Sequence, residues 1–409
     1  MTTAPAQSQA PDLLDPMLYA DGVPYAELAW LRQHDPVHWH EEPGDGPGFW
    51  ALTRYRDVKA VEADSATFSS EPSTVIVDTV SMTAGTAKHL LMSDPPHHTA
   101  HRKVLGEELA PIVVRGMRDQ LQTVVDEVVD EIVETGECDV VADLGGKLAS
   151  YVTADLLGIS RPEAVELCHA ADILTRGGSK EEGPGLAATQ TMFRHAAVAW
   201  EDRNAHRADD MLGRIAFAEI LGVPVDQVQF SMDFLLLVTA GSDTTRNVVA
   251  AGMAAFFENP EQWNMLKEDT SLLPAAVEEV LRIATPITYQ RRTATRDTEI
   301  AGTPITRGQK VVSWYVAANR DPEVFADPDR FDITRAPNPH VAFGAGRHFC
   351  LGSHLARLEL ALMFEAIVTR LADLRPTAPW RYRQSPIAPS VLGPAVMPAA
   401  FTPGPRVRS

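Results

Sequence analysis

The stretch HVAFGAGRHFCLG, residues 340–352, gathers the residues most able to do chemistry. It holds Cys350, one of three cysteines in 409 residues. Gly344 and Gly346 precede the cysteine, Gly352 follows it, and Arg347 and His348 set basic side chains beside it. The next run, LGSHLARLELALMFEAIVTRL, carries Leu351, Leu355, Leu358 and Leu362 on one helical face, so the thiol is expected at a helix start. Partial positive charge and free N–H groups at such a terminus favour a thiolate, which can be a nucleophile, a redox thiol or a metal ligand. Glycines without Cβ atoms leave room for a flat, bulky group against the loop. On this loop alone, an inert buried cysteine is the plain alternative.

The elements that must position this loop read as mainly α with a small β portion. PVHWHEEPGDGPGFWALTRY (36–55) is expected to form a β-hairpin around its Gly/Pro turn. The run 113–136 has apolar residues every three or four positions and a closing glycine, and is expected to be one helix. The run 231–260 is apolar nearly all round, which predicts a long helix buried at the centre. Short strands and turns are expected over 291–316. Residues 1–16 have neither a basic n-region nor an apolar core, and read as a disordered lead to one domain spanning 17–409. The run FLLLVTAG (234–241) is too short to cross a bilayer. A formal net charge of −19 argues against nucleic acid and anionic membrane as general partners. Cys138 and Cys168 form no spaced set with Cys350, which fits a reducing cytoplasm rather than a disulfide framework.

Three polar spots interrupt the apolar pattern. Ala240-Gly241-Ser242-Asp243-Thr244-Thr245 lies inside the long helix, where a glycine costs about 0.5–1 kcal/mol relative to alanine and a buried carboxylate needs partners. His97, His98 and His101 share one segment with Arg102; they could hold zinc, but no carboxylate completes a hydrolase motif. Glu279 and Arg282 are three apart, a spacing that alone describes a solvated helix pair.

The spacing Phe343-x-x-Gly346-x-x-x-Cys350-x-Gly352 resembles the heme-binding loop of the cytochrome P450 family. The other segments match that family in its order, so the chain is identified as a member. The resemblance implies the P450 fold, with the long central helix over heme b and the cysteine loop beneath it. Cys350 would be the axial iron ligand, and its electron-rich thiolate would favour O–O cleavage. His98, Arg102, Arg292 and His348 match positions that hold the heme propionates. Ala240 and its neighbours would open a groove for dioxygen, with Asp243 and Thr244 as the acid–alcohol pair that delivers protons. Glu279, Arg282 and Arg330 would form the buried triad that braces the core.

The implied activity is a monooxygenase, with epoxidation, demethylation, C–C coupling or heme binding without turnover as alternatives. The segment after Cys350 offers no flavin or iron–sulfur domain, so electrons are expected from a separate ferredoxin and ferredoxin reductase. His101, Lys103, Arg115, Arg118, Arg347 and Arg357 are expected to form its basic dock. The segments 73–85, 236–244, 285–289 and 390–393 line the pocket in relatives. They offer Val75, Ile76, Val77, Val80, Met82, Leu236, Val238, Ile287, Val391 and Leu392, which suits a hydrophobic terpenoid, steroid, branched lipid or polyketide. RRTATRDTEIAG and NRDPEVFADPDRFDITRAPNPHVAFG resemble actinobacterial members that oxidise sterols and branched lipids. The polar loop 175–185 is expected to be a lid.

Overall fold

The structure, a computed structural model, describes residues 10–76, 87–175 and 183–407. It is mainly helical with a small β portion, as expected. The hairpin forms from β1 (Val37–His40) and β2 (Phe49–Leu52), paired antiparallel. With β3 (Phe68–Ser69), β4 (Tyr289–Ala294) and β5 (Lys310–Trp314) it builds a five-stranded sheet in the order β1-β2-β5-β4-β3. Only the β2–β5 pair is parallel. After β2 the chain enters α1 (Tyr55–Ala63), whose inner face buries Val58 and Val61.

The helical layer holds α2 (His97–Gly106), α3 (Arg118–Asp130), α4 (Lys147–Leu157), α5 (Arg161–Thr175), α6 (Gln227–Glu258), α7 (Leu273–Ala284) and α8 (Ser353–Arg370). α6 is the long central helix that the sequence predicts. Asp226 caps it by accepting from the Gln229 N–H at 2.8 Å. Its middle packs so closely that a Cβ at Gly252 would lie 2.7 Å from both Phe364 on α8 and Val280 on α7. Gly241 likewise meets α4, where a Cβ would stand 3.3 Å from the Thr153 hydroxyl. That contact gives this glycine a packing role of its own.

Two expectations change. The run 113–136 is broken, because Gly116 ends one short helix and Met117, with φ −84° and ψ 0°, separates it from α3. Residues 10–16 belong to the packed chain rather than to a disordered lead. Leu13 is fully buried, its N–H donates to His40 Nε2 at 2.9 Å, and its carbonyl accepts from the Tyr19 hydroxyl.

Glu279 and Arg282 are completely buried on α7 and meet in a two-pronged bridge, both contacts at 2.8 Å. Arg282 spends its other N–H groups on the carbonyls of Asn319, Pro328 and Arg330. Arg330 is therefore not the third charged partner: its backbone takes part and its side chain is exposed. The third member is Arg335, whose Nε reaches both Glu279 oxygens at 3.1 and 3.2 Å. Asn338 and the Asp332 N–H complete the shell around the carboxylate. Asn319 passes this order on, because its side chain accepts from the Val341 N–H at the root of the Cys350 loop.

Removing one member of a buried ion pair leaves a charge uncompensated, at a cost of roughly 3–5 kcal/mol. Glu279→Ala and Arg282→Ala should yield little folded protein and a sharply lower melting temperature. Arg335→Ala should be intermediate, and Arg330→Ala should melt like the parent. A larger loss from Arg330→Ala than from Arg335→Ala would reverse the assignment.

Candidate active site

α6 is buried almost throughout, yet Ala240 is exposed and Leu237, Gly241 and Thr244 are partly so. These residues recur every three or four positions, so one face of the central helix looks into open space. Thr244 donates to the Ala240 carbonyl at 2.8 Å, which leaves its hydroxyl oxygen free to accept. Asp243 beside it is 1% exposed and held from three sides. Arg246 donates to it at 2.8 Å, the Thr175 hydroxyl donates to its other oxygen, and Arg383 lies at 3.6 Å. Asp172 binds the same two arginines. Burial pushes the Asp243 carboxyl up, and Arg246 pulls it back.

α2 joins this helix to the cysteine loop. His101, on one side of α2, bonds Asp233 of α6 at 2.7 Å. His98 and Arg102, on another, meet the loop: the His98 ring packs against His348 with centroids 4.1 Å apart and the planes tilted by 43°, and Arg102 donates to the Phe349 carbonyl at 2.6 Å. His101 is thus fully buried and is no part of a surface dock. Arg357 also leaves that set, since it pairs with Glu278 and lies 4.5 Å over the Phe343 ring. Arg118 faces Glu365 loosely at 3.8 Å, while Lys103, Arg115 and Arg347 are exposed.

Cys350 is fixed by its N–H, which donates to the Phe343 carbonyl at 2.9 Å; α8 begins three residues later, at Ser353. Burial pushes the thiol up, while the Gly352 N–H and the guanidiniums of Arg102 and Arg357 act in the opposite sense. A cation at the sulfur would favour the thiolate. The loop glycines divide by role. Gly346 has φ +67° and would place a Cβ 2.1 Å from the Glu62 carbonyl, so it serves a tight turn against α1 and not a flat ligand. A Cβ at Gly352 would meet nothing within 4 Å, so that side is open.

Arg292 on β4 is buried against Glu62, and His348 bonds Ser70 at 3.0 Å. His98 is pushed down to about 4 by burial and then by Arg102, and His348 to about 3 by burial and then by Arg292. Neither ring nitrogen of His98 has a hydrogen-bond partner. Four groups able to be cations therefore converge, and two of them are forced neutral by burial and by one another.

Of the pocket candidates, Val75, Ile287 and Val391 keep exposed surface, and a bridge pairs Ile287 with Val391. Ile76 and Leu392 are packed into a core beneath the sheet. Leu236 shares the Ala240 face but is nearly enclosed. Val238 is fully buried, because two helical steps turn it to the side opposite Ala240. Val77, Val80 and Met82 lie outside the described residues, as does most of the expected lid at 175–185.

Sequence reasoning missed Asp172, Arg383, Glu62 and Glu359. Arg246, three residues after Asp243, was visible as a helical ion-pair spacing. Glu359 is buried on α8, where it accepts from Thr245 of α6 at 2.6 Å.

The site and fold define a class, and comparison with known proteins agrees. The Cytochrome P450 family profile matches residues 226–374. The chain belongs to the cytochrome P450 family. It is 35% identical over 399 residues to a steroid C26-monooxygenase of Mycobacterium tuberculosis, covering 93% of this chain and 92% of that protein. It is 34% identical to linalool 8-monooxygenase of Pseudomonas putida, over 89% of this chain and 92% of that one. A Mycobacterium marinum cytochrome P450, CYP268A2, solved in complex with pseudoionone, superposes with a TM-score of 0.86 at 32% identity, covering 92% of this chain and 94% of that one. The protein is thus a P450 monooxygenase, of a family that binds heme through a cysteine thiolate. The residues present fit that group: a half-buried thiol, an open side at Gly352, and buried His98 nitrogens that lack partners.

Glu359 yields a pH test. Burial pushes its carboxyl from 4.5 up to about 7, so the folded state keeps a proton that the unfolded state loses across that window. Stability from this group is therefore lost as pH rises from about 4.5 to 7. At about 1.4 kcal/mol per pH unit, the parent should lose about 3 kcal/mol relative to Glu359→Gln between pH 5 and 8, read by urea denaturation. Parallel curves for the two proteins would show that the acid is ionised throughout.

Proposed function

We propose that the chain inserts one oxygen atom of O2 into a C–H bond of a neutral hydrophobic molecule of the steroid or terpenoid class. The balance is RH + O2 + two electrons + two protons giving ROH and water. Heme b would be the cofactor, and Cys350 would hold its iron, with Phe343 and Gly352 beside the sulfur. The group supplies dioxygen activation when bound. Arg102 and Arg292 would hold its two propionates as cations, and His98 and His348 as neutral hydrogen-bonding groups, since buried carboxylates need charged or hydrogen-bonding partners.

The observation that carries this reading is the exposed Ala240–Thr244 face of an otherwise buried helix, joined by α2 to a loop that surrounds Cys350 with basic groups. On that face the Thr244 hydroxyl orders a proton donor, and Asp243 behind it passes protons inward. Asp243 must first loosen its contacts with Arg246 and Arg383. Val75, Ile287 and Val391 give the pocket an apolar lining. The names of the relatives, one acting on a steroid and one on linalool, support the substrate class.

Electrons come from a ferredoxin and its reductase. Support comes from exposed Lys103, Arg115 and Arg347 on an acidic protein, beside Ile112 and Val113, which are 70% and 36% exposed. No described helix is long and apolar enough to cross a membrane, and the three cysteines are free, which supports a cytoplasmic setting.

Two experiments test this. Cys350→His should abolish the red-shifted Soret band of the ferrous–CO complex; a retained band would mean another ligand. Thr244→Ala should bind heme and substrate normally and consume NADPH through a surrogate redox chain, with much of the reducing power released as hydrogen peroxide. Asp243→Asn should lower turnover more than coupling, because it slows proton supply. Unchanged product yield per NADPH in Thr244→Ala would remove the hydroxyl from the proton route.

A further inference from the structure

Glu62 is a buried carboxylate that the proposed chemistry leaves unused. Its backbone and its side chain touch two different parts of the site. The carbonyl stands where a Cβ of Gly346 would be, 2.1 Å away, so α1 abuts the cysteine loop four residues before Cys350. The side chain pairs with Arg292 Nη2 at 2.5 Å, with side-chain exposures of 1% and 4%. Its other oxygen, Oε1, makes no hydrogen bond. The Tyr315 phenol, also enclosed, is pushed up by burial and then by Glu62. Arg292 spends Nη1 on the Arg291 carbonyl at 2.8 Å, so the guanidinium is held at two points.

We propose that Glu62 is a positioning residue that presets Arg292 and cancels much of its charge, and so keeps the ferric heme favoured in the resting protein. This rests on the reading that Arg292 meets a propionate. Reduction adds one electron to the heme, so a nearby positive charge favours the ferrous form and a neutralised one does not. A dry, close carboxylate reduces the arginine's field at short range, where water screens little. Charge and hydrogen bonding around a heme are among the levers by which a protein sets its potential.

The test uses the heme-loaded protein and a spectroelectrochemical titration. Glu62→Gln keeps the shape and removes the charge. It should leave the ferrous–CO band in place and shift the ferric/ferrous equilibrium about tenfold toward ferrous, which is ~59 mV for one electron. Glu62→Asp, which draws the carboxylate back by one methylene, should shift it the same way by less and guards against a Glu62→Gln that does not fold. In the double variant Glu62→Gln/Arg292→Gln the potential should return close to the parent's, because a neutral pair has been removed. An unchanged potential in both single Glu62 variants overturns the inference, as does a double variant that stays as high as Glu62→Gln. Arg292→Gln alone, followed by heme transfer to apomyoglobin, should lose heme at least tenfold faster. Unchanged heme loss there would overturn the propionate reading itself. Fast loss combined with unmoved Glu62 potentials overturns only the role of Glu62.

Discussion

The bridge between Glu279 and Arg282 is the constraint on which the site geometry depends. Both charges are taken fully out of water, which is tolerable only because the Arg282 N–H groups and both Glu279 oxygens are themselves hydrogen-bonded. Arg282 ties α7 to three carbonyls of the segment 319–330, and Glu279 draws in Arg335, Asn338 and the Asp332 N–H. That fixes a long irregular stretch of chain with no regular hydrogen-bond ladder of its own. The stretch leads through Asn319 and Val341 into the cysteine loop. A loop that must present one sulfur atom at a fixed place is held by a charge pair well upstream of it in sequence.

The electrostatics of the site have an opposite character. Around Glu279 every charge is answered, whereas around His98, Arg102 and His348 basic groups are gathered with few anions. Burial keeps both histidines uncharged, and neighbouring cations reinforce this. Glu62 is the exception, since it answers Arg292. On the far side of α6 a third arrangement appears, in which two aspartates and two arginines share one buried cluster. Arg102 thus stands as a cation beside the cysteine loop, while Asp243 is enclosed by arginines elsewhere.

Much of this was legible in the sequence where spacing is local. The Cys350 loop, the long apolar helix, the hairpin and the Glu279–Arg282 pair all announce themselves within a few residues. Partners supplied by distant segments do not. Arg335 and Arg330 look alike as sequence, and only the course of the backbone decides that one presents its guanidinium and the other its carbonyl. Arg383 reaches Asp172 and Asp243 from the far end of the chain, and Glu62 reaches Arg292 across 230 residues. Val238 turns to the core for a simpler reason, since an apolar residue near a site is as apt to face the core as the ligand. The glycines carried a double meaning: Gly346 answers to a backbone collision and Gly352 to open space.

Gly252 leads in another direction. A single added carbon there would strike side chains of two other helices, Phe364 and Val280, at the same distance. The position therefore cannot drift alone. Any lineage that replaces it must also shrink residues on α7 and α8, and each intermediate step carries an overpacked core. Evolution can then revise the apolar lining near Val75, Ile287 and Val391 one residue at a time, while the crossing of α6, α7 and α8 changes only as a set. Directed libraries inherit the same asymmetry: diversity placed on the lining is cheap in stability, and diversity placed at the crossing is mostly lost before any activity can be selected.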